Sequence, residues 1–184
     1  MKKVILFLVL LLILSVVIGL AGCTPPLTYT VGDTGPAGGW IFYDKGISSD
    51  GWRYLEAAPS DQSTGAEWGC DGIEIPGADS TAVGAGEQNT IDIEAGCTTA
   101  GTAADICANL SLGGYSDWFL PSINELNLMY ENLKVAGVGG FADDVYWSSS
   151  ENPVGTAYLQ NLGNGSLTLT SKFALLRVRA VRAF

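Results

Sequence analysis

Hydrophobic and polar positions along this chain change period several times, and each change marks an element. An apolar run from Val4 to Leu20 follows two lysines. After a turn rich in glycine and proline, "GDTGPAGGWIFYDKG" carries an aromatic strand, and "GWRYLEAAP" alternates as a second strand with Pro59 as its stop. The two predict an N-terminal hairpin. From Ser60 to Gln88 periodicity is lost among Gly, Ala, Ser, Thr and Asp, which predicts a long irregular loop. Asn89 or Thr90 is then expected to cap a short helix running through Ala95, with Gly96 as its stop. A second helix is expected from about Thr102 to Leu110, because Ala103, Ile106, Cys107 and Leu110 recur at helical spacing.

The stretch "GGYSDWFLPSINEL" (113–126) brings together Asp117, Ser122 and Glu125, residue types that do chemistry in hydrolases. Ser122 followed by Glu125 is a capping box, in which the serine oxygen accepts from the Glu125 N–H and the glutamate reaches back to the Ser122 N–H. Ile123, Leu126, Met129, Tyr130 and Leu133 then form the buried stripe of a helix ending near Lys134. Pro121 biases Leu120 toward an extended conformation, so the strand-like "DWFL" stops there. We expect Asp117 to accept hydrogen bonds within its own turn.

Beyond "AGVGG" the chain reads as sheet: "VYWSSS", "TAYLQNL", "SLTLTS" and "LLRVRAV" are β-branched, aromatic or alternating. Asn164-Gly165 is a strong hairpin signal, and Thr156–Leu162 and Ser166–Ser171 should pair around it. In the last strand Arg177 and Arg179 share one face, to meet carboxylates, and Val178 and Ala180 share the other, to pack. No internal repeat is visible.

Composition changes the picture at the N-terminus first. Lysines, an apolar run and Leu20-Ala21-Gly22-Cys23 have the layout of a secretion signal, and the last four are similar to a bacterial lipobox. Residues 1–22 are therefore expected to be a lipoprotein signal peptide, Cys23 the lipidated N-terminus, 23–29 a short tether and 30–184 one domain. Removing Lys2 and Lys3 leaves seven basic residues against nineteen acidic ones, a net charge of −12. Nucleic acid is an unsuitable partner for such a chain, because binding a polyanion takes a basic stripe. Arg177, Arg179 and Arg182 instead read as local ion-pair partners.

There is no histidine, which excludes Ser-His-Asp and Cys-His arrangements and the usual zinc sites. We expect no enzyme, no cofactor and no metal. With Cys23 carrying lipid, Cys70, Cys97 and Cys107 remain. Cys107 faces a helix core, and Cys70 and Cys97 lie beside glycine in loop-like sequence. A Cys70–Cys97 disulfide is expected, contributing about 3.5 kcal/mol for a loop of that size. "GVGG" lacks the Lys-Ser/Thr of a phosphate loop. Asp71, Glu74, Asp79 and Glu87 match no EF-hand spacing and read as solvated acids.

Six ordered blocks, "GDTGPAGGWIFY", "LEAAPSDQS", "EWGC", "GGYSDWFLPSINELNLMY", "YWSSSE" and "LRVRAVRAF", together resemble the Lcl C-terminal domain family, from about Val31 to Phe184. That family takes its name from the C-terminal domain of a bacterial collagen-like surface adhesin that binds sulfated glycosaminoglycans and assembles as a trimer. The resemblance implies an α+β, C-type-lectin-like fold: twisted antiparallel strands with two or three short helices and one disulfide. This chain lacks a collagen-like repeat, and its charge is unsuited to sulfated polysaccharide.

The expected function is a lipid-anchored module of the bacterial cell envelope, at the outer membrane or cell surface. Its partners are expected to be the membrane, through the lipid, and a glycan or an envelope protein; an oligomer is compatible with this. A structural assembly protein is the alternative, and a glycosidase using Asp117 with Glu125 or Glu151 the third reading. The expected ligand surface is Tyr158 and Gln160 with Glu151 and Asn152, whose hydrogen-bonding groups and ring suit sugars. An ordinary polar sheet face competes with it, and the acidic loop 60–88 is the next place to look.

Overall fold

The computed structural model describes residues 27–152 and 154–184. The expected signal peptide, Cys23 and most of the tether lie outside the described residues, as does Pro153. The expected N-terminal hairpin is present: β1 (Trp40–Ser49) and β2 (Trp52–Ala57) pair antiparallel. A short strand β3 (Ser63–Ala66) interrupts the expected loop. Three helices follow, α1 (Gly86–Gly96), α2 (Ala103–Ala108) and α3 (Ile123–Met129), the last continued by a π-helical turn, Tyr130–Lys134. The C-terminal third gives β4 (Val145–Asn152), β5 (Thr156–Asn161), β6 (Leu167–Ser171), β7 (Leu176–Val178) and β8 (Val181–Ala183).

The architecture is α+β with two sheets. One has the order β1-β2-β8 and the other β3-β7-β4-β5-β6. Pairing is antiparallel throughout except for a single parallel contact, Tyr146 with Arg177, so the second sheet is mixed where purely antiparallel strands were expected. The expected strand "LLRVRAV" is two strands in different sheets. The break falls where the Arg179 guanidinium turns inward to Asp61 and to the carbonyls of Ala58 and Gly139, at 2.7, 2.8 and 2.9 Å. That inward turn stitches the sheets together.

Two apolar clusters fill the interior. Trp68, Ile93, Cys107, Trp118, Trp147 and Val178 pack α1 and α2 on the larger sheet. Phe42, Leu55, Leu126, Met129, Leu133 and Tyr146 pack α3 on the hairpin. Helix α3 and its π turn bury Ile123, Leu126, Met129 and Leu133 of the expected stripe and leave Tyr130 half-buried, and the capping box is formed: Ser122 Oγ accepts from Glu125 N at 3.3 Å, and Glu125 Oε2 accepts from Ser122 N at 2.7 Å. Cys70 and Cys97 are bridged, with Cα atoms 5.7 Å apart. Cys107 is free and fully buried, and burial pushes its thiol well above the ordinary range.

Helix α1 starts earlier than expected, at Gly86 behind Ala85, with no side-chain cap. Both proposed capping residues are used elsewhere. Asn89 donates to Ser80 O at 2.7 Å, and Thr90 Oγ1 donates to Gly86 O at 2.8 Å. Gly86 suits the start because a Cβ there would collide with the Glu125 carboxylate.

Candidate ligand-binding cleft

The C-terminal strand β8 pairs with β2 and carries the chain out at Phe184, whose N–H and C=O bond Tyr54 at 3.1 and 2.9 Å. The N-terminal segment returns to the same place, where Tyr29 N donates to the Tyr54 hydroxyl at 3.2 Å. Three rings consequently meet. Tyr29 stands edge-on to Tyr54 and to Phe184, with centroids 5.4 and 5.5 Å apart, and Tyr54 lies 5.5 Å from Phe184 at a 34° tilt. These rings, with Tyr115, Arg53 and Arg182, line a cleft of about 440 Å³.

Beneath the cleft both arginines are already neutralised. Arg53 gives Nε and Nη2 to Asp44 at 2.7 and 2.9 Å. Arg182 gives Nε and Nη2 to Asp117 at 2.9 and 2.8 Å and Nη1 to Glu56 at 3.3 Å, while its guanidinium carbon lies 3.9 Å from the Tyr115 ring centroid. Glu56 is fully buried and also accepts from the N–H groups of Ala37 and Gly39 at 3.1 and 2.8 Å. The turn "GPAGG" thereby wraps a carboxylate, and Gly113 (φ 64°) presses on it from outside, where a Cβ would collide with Ala37 O.

Asp117 is not the turn acceptor its sequence suggested. Its partner is Arg182, whose hydrogen bonds hold its carboxyl below the ordinary carboxylate range. Asp117 faces a second cleft, of about 350 Å³, together with Glu87, Glu94 and Trp118. Burial raises the Glu94 carboxyl, and Asp105 adds to it.

The structure does not assemble the expected ligand surface on β4 and β5. Glu151 is 3% exposed, ion-paired to buried Lys172, and accepts from Ile75 N at 2.8 Å. Gln160 is fully buried and donates to Asn127 Oδ1 at 2.8 Å. Asn152 is half-buried and donates to Thr156 Oγ1 at 3.1 Å, and Tyr158 packs against the α3 cluster. The reason is tertiary: α3 covers the face of β5 that carries Tyr158 and Gln160, and the loop after Cys70 covers Glu151. None of the four lines the aromatic cleft. The carboxylates named for hydrolysis are likewise engaged locally: Asp117 by Arg182, Glu125 by its cap and Glu151 by Lys172. Asp71 is half-buried, and Glu74, Asp79 and Glu87 face solvent.

Residues 58–182 match the Lcl C-terminal domain family. The chain belongs to that family. No curated protein matches it. The Lcl match begins after β2, yet the hairpin before it is integral to the fold through its pairing with β8. Of the cleft residues, Tyr115 and Arg182 lie inside the Lcl match, and Tyr29, Arg53, Tyr54 and Phe184 lie outside it. Sequence reasoning missed this cleft because its rings come from distant segments that share no period or motif.

Proposed function

We propose that this Lcl domain is a non-catalytic binding module of the bacterial envelope, held by lipid at Cys23, with a glycan ligand in the aromatic cleft. The observation that carries the reading is the grouping of Tyr29, Tyr54, Tyr115 and Phe184 around one concavity. Ring faces pack against the C–H face of a pyranose, while polar edges take its hydroxyls. Asp44 takes Nε and Nη2 of Arg53, which leaves Nη1 as a donor for a ligand hydroxyl. Because both arginines are matched by carboxylates, the cleft offers a sulfate no unpaired positive charge, and a neutral sugar needs none. We also read the fold as a C-type-lectin-like variant, with short helices against two small sheets and a long loop closed by a disulfide.

Leu27 lines the cleft and follows Cys23 by four residues, a reach of at most about 14 Å. A lipid at Cys23 would keep the cleft close to the membrane, which favours a ligand that is itself an envelope component. Glycan-array screening of the purified protein tests the reading. We expect neutral glycans to bind, and Tyr115→Ala and Arg53→Ala to weaken them by about 1 to 3 kcal/mol each while circular dichroism shows the fold retained. Unaltered affinity in both variants, or retention of sulfated glycans alone, would remove the cleft from the argument.

A further inference from the structure

The larger sheet ends in β6, and nothing among the described residues covers that edge. Hydrogen bonds Asn161 N to Ser166 O (2.9 Å) and Lys172 N to Gly155 O (3.1 Å) fix the β5–β6 ladder. Residues 166, 168, 170 and 172 therefore bond β5, and strand alternation turns the N–H and C=O groups of Leu167 and Leu169 away from it. Neither residue makes a main-chain bond outside the hairpin. Their side chains are 48% and 39% exposed, and Phe173, just beyond, is 63% exposed.

The other sheet edges are all blunted. β1 carries Asp44 and Lys45 and two register shifts. β3 has four residues and a register shift, and β8 is covered by Phe119 through two bonds of 2.8 and 2.9 Å with Val181. Charge, Pro, bulges and cover are the usual devices against edge pairing. β6 has a regular register and the residues Ser-Leu-Thr-Leu-Thr-Ser from 166 to 171, with none of these devices.

We propose that the β6 edge pairs antiparallel with the β6 edge of a second copy of this chain, about a two-fold axis at Leu169. In that register Leu169 faces Leu169 of the second copy as a hydrogen-bonded pair, and Leu167 faces Ser171, whose carbonyl also accepts from Ala174 N at 3.0 Å and would use its second lone pair; both leucines are covered. Charge favours a second copy here. At a net charge of −10 two copies repel over most approaches, but every exposed side chain along this edge is neutral. The nearest carboxylate, Asp71, accepts from Ser171 Oγ at 3.2 Å. It sits at the outer end of the paired strands, far from its symmetry mate.

The test uses two differently tagged full-length copies, co-expressed, extracted in detergent and purified through one tag. Wild-type copies should co-purify, as should a mixed pair of Leu169→Lys with Leu169→Glu. Pairs that are both Leu169→Lys or both Leu169→Glu should not, because like charges then face each other on the axis. Unchanged thermal midpoints of the variants show that they fold. In intact cells Leu169→Cys should give a covalent dimer on mild oxidation, since a hydrogen-bonded pair places Cα atoms about 5.5 Å apart, within disulfide range. Ile47→Cys, exposed on β1, should not. Absence of wild-type co-purification, capture of a different protein in place of the second copy, persistence of the like-charged pairs, or failure of the mixed pair would each overturn the proposal.

Discussion

Two stretches of this domain differ in what their backbones do and in how they are held. From Asp71 to Ala85 the chain forms no helix or strand, yet it is fastened at intervals along its length. Lys172 donates to Ile73 O, Ile75 N donates to Glu151, Glu151 N donates to Ala78 O, Ser150 Oγ donates to Ser80 O, Ser122 Oγ donates to Ala82 O and Gly84 N donates to Glu125, all at 2.7–2.8 Å. From Leu167 to Ser171 the chain is a regular strand in unbroken register, yet four of its five residues are exposed. Regular backbone and secure attachment are separate properties. The first is local, and the second depends on which polar groups meet across the fold.

Glu151→Ala should break the loop side of this comparison most severely. It leaves the fully buried Lys172 ammonium without its carboxylate and should cost about 3 to 5 kcal/mol in denaturant unfolding. The double variant Glu151→Leu with Lys172→Met should recover much of that. A cost under about 1 kcal/mol for the single variant would show that water reaches the pair.

Glu125 tests the other end of the loop through pH. Burial pushes its carboxyl up to about 7, against the opposing hydrogen bonds from the N–H groups of Ser122, Gly84 and Gly86. The folded state therefore holds this proton more tightly than the unfolded chain, where the ordinary value is 4.5. Its contribution is complete below pH 4.5 and declines as pH rises toward 7, by about 3 kcal/mol. Subtracting the Glu125→Gln stability curve from wild type should isolate that decline; parallel curves would mean that the carboxylate ionises freely in the fold.

Ser122→Ala removes the cap of α3 and the bond to Ala82 O, and should cost about 1 to 2 kcal/mol by thermal unfolding. The smallest effect belongs to the hairpin. Thr168→Ala, on an exposed strand, should change stability by under about 0.5 kcal/mol at concentrations where the protein is monomeric. A larger loss would mean that β6 is held by more than its ladder.

The features legible in the sequence are those whose causes lie within a few residues. The capping box, the α3 stripe, the Asn164-Gly165 hairpin and the N-terminal hairpin each combine a period with a stop signal. The disulfide was legible because the helical spacing around Cys107 set that cysteine aside. The run Ser148-Ser149-Ser150-Glu151 was not, because three small hydroxyls on a strand look like a solvated face. All four are buried: Ser148 O accepts from the Trp68 indole N–H, Ser149 Oγ accepts from the Asn89 side-chain amide, Ser150 Oγ donates to Ser80 O and Glu151 accepts from Ile75 N, all partners far away in sequence. Asp117 was misassigned for the same reason: its partner, Arg182, lies 65 residues on. The aromatic cleft escaped because four separate segments must fold before its rings adjoin.

Cys70 and Cys97 bracket the irregular loop together with all of α1. The loop carries the protruding Ile73 and Glu74, a natural place for a protease to cut. One cut there would open the backbone without dividing the molecule, since the disulfide keeps both new ends on one covalent unit and the bonds from Glu151, Ser150 and Glu125 keep the clipped segment in place. A nicked copy would run as an intact chain until reduced and then as two fragments. The bridge thereby makes this stretch of chain expendable as a continuous backbone.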